Sequence, residues 1–183
     1  MTRLAAPLGA AVVTSAVVAA IALGGQAATQ TDPPAPTGQP AGELTIGGGA
    51  PIPILAFSAG VSNTATPGGG GTGVPTFSVL RLVKPVDVNT PSLLVAVANG
   101  AHVQGGATFS ASWSLKDGSA KIVYDLGDVI VASASQSGGG GEPTESVSLS
   151  FGEVHWTYTR SDKNGTTTQT SEGGWDVEGN TEK

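Results

Sequence analysis

The sequence predicts an all-β fold, a small barrel or sandwich of about seven to nine strands with one short α-helix. Along most of the chain, apolar residues recur at every second position, a period that only a strand can use to bury one face. Clusters of turn-forming residues separate these segments, and the chain holds 28 Gly and 12 Pro among its 183 residues. With 39% hydrophobic and 12% charged residues, it can build one modest core, so we expect a single folded domain.

The N-terminal segment has the order of a secretory signal. Arg3 precedes an uncharged, Ala-rich stretch, residues 4–25, and small residues at Gly25 and Ala27 indicate cleavage before Ala28. An uncleaved membrane anchor is the alternative, because about 20 apolar residues suffice to span a bilayer. The predicted location is therefore secreted or cell-surface, with anchoring by residues 4–25 as the second possibility.

The rest of the chain divides into a linker and a domain. Residues 28–42 are rich in Pro and carry no large apolar side chain, so we expect an extended linker. Residues 43–183 would form the β domain, and residues 1–27 the signal peptide or anchor.

The predicted strands and the helix follow in chain order. Alternating apolar residues run from Leu55 to Val61, and residues 77–83 carry apolar side chains on both parities. Thr90 and Pro91 then predict a helix start, with Thr90 as the N-cap, and Gly100 predicts its end. The helix residues expected to cluster on one packed face are Leu93, Leu94 and Val97.

A hairpin follows the helix. Asp117-Gly118 is a strong hairpin signal because both central residues of a type I′ turn need positive φ. Residues 108–115 alternate before this turn and residues 120–126 after it, which places Trp113 on the core face. Beyond Gly127-Asp128 the same parity resumes at Ile130, while Val129 and Val131 would lie on the other face.

The last long strand changes phase. Val147, Leu149 and Phe151 occupy odd positions, but Val154 and Trp156 occupy even ones. An extra residue at Gly152-Glu153 would return both halves to the core, so we predict a β-bulge and a bend there. This places Trp156 in the core and leaves Trp175 as the exposed tryptophan.

Composition and motifs exclude most enzyme chemistry. The chain has no Cys, which excludes disulfides, thiolate catalysis and zinc–sulfur or iron–sulfur sites, and its net charge of −6 disfavours nucleic acid. His102 and His155 have no suitably spaced partner for a metal. Glu142, Glu145 and Glu153 are expected on a solvated surface. We predict no catalytic residues, no cofactor and no metal.

Two glycine-rich loops remain, residues 66–74 and 137–142. Such uncharged loops can order against a neighbouring subunit without steric conflict, or they can be mobile loops of a monomer. Composition alone leaves these two readings equal.

The order of motifs resembles the haemolysin-coregulated protein (Hcp) family, the ring-forming tube subunits of type VI secretion systems. The similar stretches are IPILAFSAGVSN at 52–63, VNTPSLLVAVANG at 88–100, YDLGDVIVASASQSGGGGEPTESVSLSFGEVHWTYT at 124–159, and GWD at 174–176. Together they span residues 44–178.

The resemblance implies a β-barrel with one helix, six-membered rings stacked into a hollow tube, and secreted effector proteins in the lumen. Its partner would be the chain itself, with no nucleic acid. The resemblance implies that the loop from Asn63 to Pro75 contacts a neighbouring subunit or ring. The candidate assembly residues are Asn63, Thr66, Gly68, Gly70, Gly73 and Pro75 in this loop, together with Gly139 and Glu142 in the second glycine-rich loop.

Two further points qualify the resemblance. Family members typically lack a signal peptide, so an exported member could form tubes or fibres outside the membrane, or display the domain on the cell surface. A secreted β-barrel module that binds a glycan or cell-wall ligand is the alternative function, because the chain has an export signal, a linker and three Trp.

Overall fold

The computed structural model describes residues 40–65 and 73–183. The predicted signal and nearly all of the predicted linker lie outside these residues. The elements are β1 (Gly42–Ile46), β2 (Ile52–Ile54), β3 (Ala56–Ser58), β4 (Val61–Asn63), β5 (Pro75–Phe77), β6 (Leu80–Pro85), α1 (Thr90–Asn99), β7 (His102–Val103), β8 (Ala107–Leu115), β9 (Gly118–Ser137), β10 (Thr144–Asp162), β11 (Thr167–Asp176) and β12 (Thr181–Glu182). The all-β prediction with one short helix is confirmed. The strands outnumber the predicted seven to nine because several contain only two or three residues.

Two long antiparallel strands, β9 and β10, form the spine of the fold. They pair with each other from one end to the other, and each changes its second partner halfway along. Strand β10 pairs with β6 over residues 144–149 and with β11 over residues 153–161. Strand β9 pairs with β8 up to Leu126 and with β7 from Val129.

The two spine strands also change face at the same level. Leu126 and Val154 are buried on one side of this level, and Val129 and Leu149 are buried on the other, with opposite parity in each strand. The predicted phase change in β10 is therefore present. The predicted β-bulge at Gly152-Glu153 is wrong, because β9 carries a matching irregularity at Asp128 and the register does not shift there.

This matching irregularity has a visible backbone origin. Asp128 has a φ of 50°, in the left-handed region. A Cβ at Gly152 would lie 2.9 Å from Oδ2 of Asp128, so only glycine fits opposite it without displacement. The register shift of the pair lies instead between Ser148 and Leu149. After Asp128 the fully buried residues are Val129 and Val131, so the predicted inward parity of Ile130 is wrong.

The sheet closes on itself as a barrel. The path β2, β1, β8, β9, β10 is continuous, β10 pairs with β6, and β6 pairs with β3. Strands β2 and β3 continue one another through Leu55, whose backbone N–H donates to the carbonyl of Val83 in β6 at 2.7 Å. Strands β11 and β12 extend from β10 outside this closed path.

The barrel interior holds the core. Its fully buried side chains come from every wall strand and include Leu44, Ile54, Leu80, Leu82, Phe109, Val129, Val131, Val147 and Leu149. Helix α1 packs on β9 through Leu93, which is buried. Gly100 ends the helix with a φ of 62°, as predicted, but the N-cap is Asn89 rather than Thr90, and Leu94 is exposed. Within the described residues, no helix is long and apolar enough to cross a bilayer.

Candidate assembly surfaces

The hairpin of β4 and β5 is a small sheet separate from the barrel sheet. Its two strands pair only with each other, through three residue pairs from Val61 with Phe77 to Asn63 with Pro75. Ser78 ties its base, because its backbone N–H and hydroxyl both donate to the carbonyl of Gly60, at 2.9 and 3.0 Å. The hairpin therefore forms its own two-stranded sheet, in which all of β4 is exposed and β5 is half-buried.

The hairpin presents apolar side chains to solvent. Val61 is 56% exposed and Val74 is 61% exposed. At its base, Phe77 stacks on Trp156 with ring centroids 6.2 Å apart, so the hairpin is anchored to the spine at one end only. An anchored hairpin with open valines is typical of a segment that is covered by a partner.

Three of the predicted contact residues lie on this hairpin. The Oδ1 of Asn63 accepts a hydrogen bond from the backbone N–H of Ala65 at 2.7 Å. Gly73 has a φ of 68°, and a Cβ there would overlap Asn63, so this close approach requires glycine. Pro75 pairs opposite Asn63. The predicted contacts Thr66, Gly68 and Gly70 lie outside the described residues.

The second glycine loop joins β9 to β10. Gly139 and Glu142 are both exposed, and a Cβ at Gly139 would meet nothing within 4 Å. This loop lies at the Thr144 end of β10, whereas the β4–β5 hairpin lies against Phe151 and Trp156. The eight residues from Thr144 to Phe151 span about 23 Å of extended strand, which separates this loop from the base of the hairpin.

A further exposed apolar surface lies at the helix. Val88, just before α1, is 89% exposed, and Leu94 and Val95 on α1 are also exposed. The sequence prediction missed this surface because it placed Leu94 on the packed face. The sequence did contain a signal for this surface. Val88 and Val95 do not have the spacing that would place them on the same face as Leu93, and yet both positions hold an apolar residue rather than a polar one.

A buried polar cluster fixes the start of the helix to the barrel. Lys84 and Glu145 are directly opposite each other on β6 and β10, and both are fully buried. The Nζ of Lys84 donates to Oε1 of Glu145 at 2.5 Å, to Oδ1 of Asp87 at 2.8 Å and to the carbonyl of Pro85 at 2.8 Å. These three acceptors satisfy all three ammonium protons.

Thr90 connects this cluster to α1. Its hydroxyl donates to Oε1 of Glu145 at 2.8 Å and accepts from the backbone N–H of Asp87 at 3.0 Å. The second carboxylate oxygen of Glu145, Oε2, is buried and has no hydrogen-bond partner. Burial raises the pKa of Asp87, but the hydrogen bonds from Lys84 and Asn89 and the charge of Lys84 outweigh it, so this pKa lies below its ordinary value.

The surface prediction for Glu145 is therefore wrong. The missed signal is parity, since Glu145 alternates with the buried Val147 and Leu149, and Lys84 alternates with the buried Leu82. Glu142 and Glu153 are exposed, as predicted.

The tryptophans also differ from their predicted positions. Trp113 is 44% exposed, although the sequence placed it in the core. Trp156 and Trp175 are half-buried. The Nε1 of Trp175 is buried without a hydrogen-bond partner, so this side chain is not the exposed tryptophan that the sequence predicted.

The two histidines lie apart from each other. His102 Nδ1 lies 2.5 Å from Oδ1 of Asp128, and both side chains are exposed. His155 is half-buried on β10. Within residues 40–65 and 73–183, no three His, Asp or Glu side chains are grouped so that they could hold a metal ion.

A family model described as the type VI secretion system effector Hcp matches residues 39–158, nearly two thirds of the chain. None of the curated proteins matches the chain.

Solved structures share the fold. One, described as a type six secretion system protein, is 24% identical, covers 78% of this chain and 98% of its own, and has a TM-score of 0.62. Hcp1 from Salmonella typhimurium is 24% identical, with 78% and 97% coverage and a TM-score of 0.61. Hcp2 from the same organism is 21% identical, with 76% and 98% coverage and a TM-score of 0.56.

Proposed function

Because the chain belongs to the Hcp family of type VI secretion system tube proteins, we propose that it assembles with copies of itself into six-membered rings that stack into a hollow tube. Proteins of this family are structural and have no enzymatic activity. The observation in this structure that supports the proposal best is the β4–β5 hairpin, which leaves the barrel and exposes Val61 and Val74.

A lasting ring interface needs more contact area than Val61 and Val74 alone can provide. Such an interface buries at least about 1,000 Å² in total, so several surfaces must contribute. Among the residues that the structure describes, three candidate surfaces are apolar or have free backbone groups: the hairpin, the helix surface at Val88 and Val95, and the outer edge of β11. Strand β12 covers that edge only at Trp175 and Asp176, which leaves residues 167–172 facing no strand among the described residues.

We propose that the hairpin contacts the neighbouring subunit or ring through Asn63, Gly73 and Pro75. The adjoining Thr66, Gly68 and Gly70 would extend that contact, and the loop at Gly139 and Glu142 would supply a separate one. Since about 23 Å of β10 separates the base of the hairpin from the loop at Gly139, the two would touch different neighbours. Effector proteins in the lumen would be the cargo.

Proteins of this family are secreted through the type VI system. We propose in addition that residues 1–27 direct export and are removed before Ala28, so that this chain forms its tube or fibre outside the membrane. Mass spectrometry of the secreted protein would then find Ala28 as the first residue. An intact Met1 or Thr2 start would contradict this route.

The glycan-binding alternative needs several exposed aromatic side chains in one platform. Of the three Trp, only Trp113 is exposed, while Trp156 and Trp175 are half-buried. No observation favours that alternative over assembly.

The proposal is tested by comparing the mass of the assemblies formed by the wild type with that formed by a variant in which one hairpin residue is changed. Sedimentation velocity should show multimers for the wild type and smaller species for Val61→Asp, because a charge would be buried at the interface. Asn164→Asp adds the same charge in the exposed turn between β10 and β11 and is the matched control. Equal assembly of both variants would contradict a hairpin interface.

A further inference from the structure

The chain contains two Asn-Gly pairs, Asn99-Gly100 and Asn164-Gly165. Asparagine is thermolabile because the backbone nitrogen of the next residue can attack its side-chain amide carbon, and a glycine at that next position leaves the approach unhindered. Both asparagines are exposed, so exposure alone does not distinguish them. Their backbone surroundings differ.

Asn99 is held in place at the end of α1. Its Oδ1 accepts a hydrogen bond from the backbone N–H of Ala101 at 2.9 Å, and the N–H of Gly100 donates to the carbonyl of Ala96 at 3.1 Å. The side-chain amide and the attacking nitrogen are therefore bonded to two different backbone groups. Reaction at this pair requires the last turn of the helix to unwind.

Asn164 lies in the exposed turn between β10 and β11. Among the residues that the structure describes, none forms a hydrogen bond with its side-chain amide. Gly165 has a φ of 81°, and a Cβ there would meet nothing within 4 Å. Its N–H donates to the carbonyl of Asp162 at 3.0 Å. This turn can open while the helix and the barrel stay intact, so the attacking nitrogen becomes free at a lower cost than at Gly100.

The carboxylate of Asp162 braces the same turn. Its Oδ1 accepts from the backbone N–H of Asn164 at 2.8 Å and from that of Thr166 at 2.9 Å. These two bonds lie on either side of Gly165 along the chain. Because the attack needs the turn to open, both bonds oppose it.

We propose that Asn164 is the Asn-Gly site at which the folded chain deamidates spontaneously, and that Asp162 slows this reaction by holding the turn closed. The nitrogen of Gly165 bonds to Cγ of Asn164, and the side-chain NH2 group leaves with the proton of that nitrogen as ammonia. The five-membered cyclic imide that remains is opened by water at either carbonyl, which gives aspartate or isoaspartate. Each product adds one negative charge at the tip of the hairpin. The inference does not rest on ring formation.

The first experiment compares the two pairs within one protein. The full chain is incubated at neutral pH, at a dilution where light scattering shows monomers, and then digested with chymotrypsin. Cleavage at large apolar and aromatic residues gives the fragments 95–109 and 159–175, each with one Asn-Gly pair, and every deamidation raises the fragment mass by one unit. We expect Asn164 to convert about tenfold faster than Asn99.

The matched control is the same chain in guanidinium chloride, where neither turn exists and the two pairs should convert at equal rates. Equal rates in the folded chain, or a faster conversion of Asn99, would overturn the proposal.

The second experiment tests Asp162. Asp162→Ala removes both acceptor bonds and should speed the conversion of Asn164 about tenfold, whereas Asp162→Asn keeps an acceptor oxygen and should match the wild type. Asp176→Ala is the matched control, because it removes a similar bond from Oδ1 to the N–H of Gly179, at 2.6 Å, in a different turn. An unchanged rate in Asp162→Ala would overturn the role of Asp162. Equal acceleration in Asp162→Asn would assign the effect to charge and would overturn it as well.

Discussion

Lys84 and Glu145 face each other inside the barrel, where water does not solvate either charge. A buried pair of this kind contributes little net stability over an apolar pair, but removing one partner leaves an uncompensated charge. The additional bonds from Thr90 and Asp87 tie the pair to the loop that begins α1. The cluster therefore sets where the helix starts on the barrel wall.

The first prediction concerns this pair. Lys84→Ala and Glu145→Ala should each lower the free energy of unfolding by about 3–5 kcal/mol, while the double variant Lys84→Met, Glu145→Leu should restore most of it. Urea unfolding provides the measurement. Arg160→Ala breaks the exposed pair with Asp117 and, as the control, should cost no more than about 1 kcal/mol. Losses below 1 kcal/mol in both single variants would show that the pair is not buried.

The second prediction concerns Asp87 and pH. Its pKa in the folded protein lies below the ordinary value of 3.8, so the ionised carboxylate stabilises the fold above that pH. The stability difference between wild type and Asp87→Asn should be full at neutral pH and should shrink as the pH falls through 3.8 and below. Thermal unfolding from pH 7 to pH 2 measures this. If the stability difference between the two proteins grew in acid, the pKa of Asp87 would have to be raised in the folded protein, which would contradict the prediction.

Parity along a strand predicted most of the core but not its polar members. Glu145 shares the parity of Val147, yet the residue opposite it lies 61 positions earlier, in β6. Only this non-local pairing supplies the Lys84 partner that makes burial of a carboxylate tolerable. For Trp113 the error was the opposite one, since a residue predicted to be buried is exposed. Parity predicts which side of the sheet a side chain lies on, but not how far along the strand that side is covered.

At the level of the elements, β1 depends on a close approach to β8. The position of a Cβ at Gly42 is 2.3 Å from the carbonyl oxygen of Ser110 and 2.9 Å from Cε2 of Phe109. Both contacts come from a paired strand that cannot move without breaking its own bonds to β9.

The third prediction follows from that approach. Gly42→Ala should lower the free energy of unfolding by about 1–3 kcal/mol, because the methyl group must push β1 off β8. Gly173→Ala is the matched control in β11, where a Cβ would meet nothing within 4 Å, and it should stay within about 0.5 kcal/mol of the wild type. Equal stability of the two variants would contradict the close pairing of β1.

Local signals predicted the hairpin of β8 and β9 and the span of α1 closely. Pro91 and Gly100 act through their own backbone preferences, which need no knowledge of the fold. The predicted type I′ turn centred on Asp117-Gly118 is wrong, because Gly118 already pairs with Leu115 and the turn residues, Lys116 and Asp117, have no positive φ. The change of face in β9 could not be predicted in this way. It depends on where β8 gives way to β7 as the neighbour, and that follows from the closure of the whole barrel.

On the scale of the whole molecule, the barrel is closed, but some strands outside it have edges that no described strand pairs with. Strand β11 and the β4–β5 hairpin lie outside the closed path, and the apolar residues on the hairpin and at the helix are exposed. Asn63, Gly73 and Pro75, which the family resemblance implied as contacts, lie on this hairpin, and their role in assembly stays a prediction. The helix surface was not predicted.

The fourth prediction concerns salt. The full chain carries 14 acidic and 8 basic residues, a net charge of −6, and removal of residues 1–27 with Arg3 would leave −7, so copies repel one another at low ionic strength. Light scattering should therefore detect larger species at moderate than at low salt. Larger species at low salt would show that ion pairs between copies outweigh this repulsion.

The central claim, that copies of this chain form rings, is tested most directly by negative-stain electron microscopy of the purified protein at high concentration. The account predicts ring-shaped particles with sixfold symmetry and an open centre, some of them stacked end to end. A uniform field of isolated single subunits would contradict it.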